Sequence, residues 1–102
     1  MRHYREIDAN VADCAVNIEL EKAIEKHPMW DNYTAVEMGL ILTEECGEVV
    51  HAVNDMLELQ NNPHYDPEEL LDMLRKFFVE VAQVGAVSKR ILMEYSKRGT
   101  TL

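Results

Sequence analysis

The chain has 102 residues, 19 Asp+Glu against 10 Lys+Arg for a formal charge of −9, and 47% apolar residues. That length builds one domain around a single core, residues 1–102, and buries only about 60–65% of the unfolded chain's surface, so an oligomer is expected. The acidity argues against polymeric nucleic acid and anionic membranes as partners, and with no apolar run near the roughly 20 residues that span a bilayer and no signal-peptide core after Met1, a cytoplasmic protein is expected.

Turn residues gather in two places, His27 to Thr34 and Gln60 to Pro67, and divide the chain into three helical segments. The first, about 7–26, places Ile7, Val11, Cys14, Ala15, Ile18, Ala23 and Ile24 at mostly helical spacing, with an acidic outer face, and stops at His27-Pro28. The second, about 35–59, opens on Thr34 as N-cap with Glu37 completing a capping box, and its predicted core stripe is Leu42, Cys46, Val49, Val53 and Met56. The third, about 67–95, opens on Asp66-Pro67-Glu68-Glu69, with a cap, a proline at the first helical position and two acids complementing the helix dipole. Its stripe of Leu70, Leu74, Phe77, Val81, Val84, Ser88, Ile91 and Tyr95 alternates steps of four and three, as bundle packing requires, and the tail from Ser96 is expected to fray. No period-two alternation or hairpin turn is present, so the fold class is all-α, a bundle of three main helices per chain. Cys14 and Cys46 fall inside helical patterns and read as reduced, half-buried small hydrophobes without a chemical role.

Two helices carry matching acidic patterns, Glu45-Cys46-Gly47-Glu48-Val49 and Glu80-Val81-Ala82-Gln83-Val84. At about 100° per residue, Glu48 lies near −60° from Glu45, and Gln83 near −60° from Glu80, with each core stripe between about +20° and +100°. Antiparallel packing would bring these four oxygen-bearing side chains together beside the core. Carboxylates held so close repel unless protonated or neutralised by a cation, and oxygen ligands suit Mg²⁺ or Mn²⁺ rather than Zn²⁺. A lone Glu-x-x-Glu pair is ordinarily a solvated helix face; two matched pairs beside matched stripes favour the metal.

Lys76, one turn before Glu80, and Arg90, two turns after Gln83, would supply cations for phosphate. Gly47 and Ala82 admit a close approach by a ligand or another backbone, though a mid-helix glycine costs about 1 kcal/mol relative to alanine. Trp30 and Tyr33 either stack on a base or plug the bundle end. His51 follows Glu48 at the spacing of a di-iron half-motif, but no second Glu-x-x-His is present, so it reads as rim.

The run Thr43-Glu44-Glu45-Cys46-Gly47-Glu48-Val49-Val50, followed by Glu80-Val81-Ala82-Gln83, resembles the paired signatures of the MazG-like all-α nucleoside triphosphate pyrophosphohydrolases, in particular their small single-domain, phage-like members. The resemblance covers roughly residues 30–92. It departs in two respects: Gln83 stands where the family has Asp, and the interval from Glu48 to Glu80 is longer than usual. The resemblance implies Mg²⁺-dependent hydrolysis of a nucleoside triphosphate to monophosphate and pyrophosphate in a homodimer or homotetramer, with a four-helix active-site bundle completed by oligomerisation. Glu45, Glu48, Glu80 and Gln83 would then be the metal shell, Glu44 would orient or deprotonate water or hold a second ion, and Lys76 would neutralise phosphate. Because Gln83 removes a charge from that shell, a catalytically weakened relative that binds nucleotide or a partner protein is the alternative, and a purely structural oligomeriser with solvated acids the third reading.

Overall fold

The computed structural model describes residues 2–98, with side chains from Asp8 onward. Three helices form the chain: α1 (Arg2–Lys26), α2 (Ala35–Gln60) and α3 (Pro67–Arg98), with one 3₁₀ turn at Trp30–Asn32 between the first two. No strand occurs among the described residues, and no helix there is long and apolar enough to cross a membrane.

The α2 and α3 starts are chemically specified. The Thr34 Oγ accepts from the Glu37 amide and the Glu37 carboxylate accepts from the Thr34 amide, both at 3.1 Å, so the capping box is complete. Asp66 Oδ1 accepts from the Glu68 amide at 2.9 Å, while Pro67 takes the first position, where a missing N–H is harmless. The short connection from Asn61 to Asp66 turns α3 back along α2, so that Glu58 and Glu69 share a hollow near the turn and Glu48 and Glu80 meet farther on.

Pairs between α1 and α3 instead rise together in number. Lys89 donates to Asn17 at 2.8 Å and Arg90 to the Ala23 carbonyl at 2.8 Å, and beyond the end of α1 Lys97 donates to Asp31 of the 3₁₀ turn at 3.1 Å. The first helix therefore runs parallel to α3, and α3 is the central element on which both others pack. A β-carbon on Gly85 would lie 3.1 Å from Val16 Cγ2, so this glycine receives the Val16 side chain. Buried Ala82 and Ala86 flank it and keep the two backbones close.

The end of the bundle where α1 stops is sealed by Trp30, 3% exposed, packed with Met38 and Val87 and bordered by Tyr33, Ile41, Leu42 and Ile91. Arg90 covers the indole at 4.6 Å and donates to the Ala23 and His27 carbonyls, the first of which also accepts from the His27 amide, so it ties down the end of α1.

Several expectations are corrected. The inward face of α1 is Val16, Glu19, Leu20 and Ala23, whereas Val11, Cys14, Ala15, Ile18 and Ile24 are exposed; the helix has two apolar stripes, and the fit of Val16 on Gly85 selects between them. The side chain of Ile7 lies outside the described residues. Cys46 is exposed as well, and both thiols are free. On α3 the buried face passes through Ala82, Ala86, Val87 and Glu94, leaving Val81 and Tyr95 outside. Finally, α3 continues to Arg98 instead of fraying at Ser96, because Arg98 pairs with buried Glu94 at 3.1 Å and donates to the Asp31 carbonyl at 3.0 Å; 99–102 lie outside the described residues.

Candidate metal centre

Antiparallel α2 and α3 bring Glu45 and Glu48 against Glu80, with one carboxylate oxygen from each lying within 4.8 Å of the others. Glu45 and Glu80 are half-buried, Glu48 exposed. The Oε2 atoms of Glu45 and Glu80 are both buried without a hydrogen-bond partner. Burial pushes the Glu45 carboxyl above its ordinary range, and the neighbouring Glu48 charge pushes it further. Glu80 is raised first by burial, then by a hydrogen bond between its carboxyl and Glu48, then by the Glu48 charge. Buried carboxylate oxygens without donors are unfavourable by about 1–3 kcal/mol each, so the arrangement is incomplete as protein alone.

The donor set fits a hard divalent cation. Oxygens opposite one another around Mg²⁺ are about 4.2 Å apart, given bonds of about 2.1 Å, so the present spacing closes by small side-chain rotations. The exposed side at Glu48 leaves room for the water that Mg²⁺ retains.

Two hollows flank the acids. A cavity of about 120 Å³ lies between all three helices and is lined by Glu19, Lys22, Lys26, Glu45, Glu48 and Gln83 among others. A wider one of about 310 Å³ lies on the opposite side, bounded by Glu48, His51, Asp55, Lys76 and Glu80. Lys76 and His51 thus both border this wider hollow beside Glu48 and Glu80.

No family model, curated protein or solved structure matches the chain.

Gln83 borders the first cavity, but its Nε2 donates to Glu19 Oε1 at 3.3 Å, across to α1. Glu19 was hidden from the sequence analysis because it sits on the face of α1 taken as outer. It is 5% exposed and pairs with Lys22 at 3.1 Å. The spacing Val16-Glu19-Leu20-Ala23 is the signal that would have exposed it, an acid interrupting an otherwise apolar face.

Glu44 is exposed and stands outside the three-acid group. Arg90 is corrected as a phosphate ligand: its guanidinium is held by the end of α1 and lies over Trp30. Trp30 is corrected as a base-stacking surface, since it is the buried plug of the bundle.

Proposed function

We propose that the chain is a MazG-like nucleoside triphosphate pyrophosphohydrolase that uses Mg²⁺, or Mn²⁺ in its place. The observation that carries this reading is the pair of buried, donorless oxygens on Glu45 and Glu80 facing Glu48. Those three carboxylates would hold the ion, which when bound supplies attraction for phosphate oxygens and a more acidic bound water. Water is added across the link between the α- and β-phosphates: a P–O bond to the water oxygen forms, the bridging P–O bond breaks, nucleoside monophosphate and pyrophosphate leave, and the water's proton passes to solvent.

The chain's own groups have separable tasks. Lys76 lies beside Glu80 in the wider hollow and offsets triphosphate charge there. Lys22 and Lys26, on the rim of the smaller cavity, take the part that the sequence had given to Arg90. Gln83 orders Glu19 and the cavity wall instead of contributing charge to the ion. Glu44 acts on water only through a turn of its exposed side chain toward Glu45. Such a nucleotide-pool activity belongs in the cytoplasm.

The Gln83 to Glu19 hydrogen bond favours a second reading, a weakened relative that binds nucleotide or a partner protein without turnover. Pyrophosphate release from standard and modified triphosphates with Mg²⁺ or Mn²⁺, run beside Glu48→Gln and Glu80→Gln, separates the two. Release that disappears in both variants is expected. No release, with stabilisation by metal retained, selects the weakened relative; no release and a thermal midpoint indifferent to metal rejects the site altogether.

A further inference from the structure

Glu19 is buried, has no part in the proposed hydrolysis, and stands on the wall of the cavity that Glu45 and Glu48 also line. Its side chain is 5% exposed and that of its partner Lys22 is 67% exposed, so the carboxylate lies deep and the ammonium at the mouth. Lys22 Nζ donates to Glu19 Oε2 at 3.1 Å, and Gln83 Nε2 to Oε1 at 3.3 Å. An acid at position 83 would repel this carboxylate; the amide orients it instead. Each carboxylate oxygen has two acceptor positions, so each keeps one for a further donor.

The cavity therefore sorts the parts of a nucleotide. Lys22 and Lys26 attract phosphate at the mouth, whereas the deep carboxylate repels it. The inner end is left to the uncharged part, and the apolar Ala23 and Val87 there suit the face of a ring. A volume of about 120 Å³ admits one six-membered ring, since an engineered cavity of about 150 Å³ holds benzene. That size selects a pyrimidine. At one and the same ring position cytosine presents an amino group, and uracil and thymine a carbonyl. A carboxylate bonds the first and repels the second.

We propose that Glu19, oriented by Gln83, reads the amino group of cytosine, so that the cavity selects cytidine nucleotides over uridine and thymidine nucleotides. The assignment rests on the nucleotide reading of the neighbouring acids but not on turnover.

Titration calorimetry in Mg²⁺ with α,β-methylene analogues, which cannot be cleaved between the α- and β-phosphates, tests it. Wild type is expected to bind the cytidine analogue about tenfold or more tighter than the uridine analogue. The adenosine and guanosine analogues, which bring a second ring, should bind more weakly than the cytidine one. Glu19→Gln, which keeps the shape and adds a donor, should erase most of the cytidine preference with helical circular dichroism retained. Lys76→Met, in the other hollow, should weaken both pyrimidine analogues and leave their ratio. Should Glu19→Gln unfold, Ala23→Leu decides, because filling the cavity must erase the same preference. Equal binding of the two pyrimidine analogues by wild type, a purine analogue bound tighter than the cytidine one, or a preference that survives the Glu19 or Ala23 variant overturns the proposal. Pyrophosphate release judges the hydrolase separately. Cytidine preference without release keeps the base reading and rejects turnover, release without preference does the reverse, and failure to bind any analogue rejects both.

Discussion

At Glu45 and Glu80 the chain keeps two carboxyls whose protonated forms are favoured by burial and by Glu48. A folded-state pKa above the unfolded value stabilises the fold fully below about pH 4.3, and that stabilisation is lost as pH rises through the folded values. The metal-free protein should therefore lose thermal stability from these two groups as pH rises above the ordinary carboxylate range. Asp31, lowered by its bond to Lys97, works in the opposite direction, but its contribution is lost only as pH falls through the acid range below. Saturating Mg²⁺ should abolish the loss, adding about 2.7 kcal/mol at a concentration one hundred times the dissociation constant. Glu80→Gln, which keeps the shape and removes one charge, is expected to raise the metal-free midpoint at pH 7 and to shrink the metal increment. Differential scanning calorimetry across pH, with and without Mg²⁺, reads both effects; a metal-free midpoint flat in pH would contradict them.

Elements differ in how openly their sequence declares them. The starts of α2 and α3 were legible because capping is local chemistry: Thr34, Glu37, Asp66 and Pro67 act within one turn of where they stand. The convergence of Glu45, Glu48 and Glu80 was legible for a related reason, since a short antiparallel connection leaves few registers open. The orientation of α1 was not, because Val11-Cys14-Ala15-Ile18 and Val16-Leu20-Ala23 are both acceptable apolar faces and only a distant glycine distinguishes them. Glu19 and the true role of Arg90 were lost with that orientation, as both are defined by contacts between α1 and α3. The persistence of α3 to Arg98 likewise depends on Asp31, far away in sequence. If Gly85 does fix α1, Gly85→Leu should cost about 1–3 kcal/mol through overpacking, and Val16→Ala in the same chain should recover part of it. Urea unfolding of the two single variants and the double variant measures the coupling, and strict additivity would remove Gly85 from that role.

The whole molecule is long for its size. Its radius of gyration is 16.6 Å, against about 13 Å for a compact chain of this length. Any pairing of two copies would bring together bodies of charge −9 each, so mutual repulsion would weaken it at low ionic strength. Added monovalent salt shortens the screening length to about 8 Å at physiological strength and should tighten self-association. Sedimentation equilibrium in low and moderate NaCl tests this, and a self-association that loosens as salt rises would point to attraction between charges instead.

The opposite directions in which α1 and α2 lie along α3 also set an order of assembly. The antiparallel α2–α3 hairpin closes across a six-residue connection, from Asn61 to Asp66, while the hydrogen bonds between α1 and α3 join residues 64 to 72 positions apart. Long closures lose more chain entropy before their contacts repay it. The hairpin, carrying Glu45, Glu48 and Glu80, should therefore already be formed at the folding transition state, with α1 docking on the downhill side. In stopped-flow kinetics, Val16→Ala should speed unfolding and leave the folding rate nearly untouched, whereas Ala52→Gly should slow folding. The three acids would then meet before the wall that carries Glu19 closes over them.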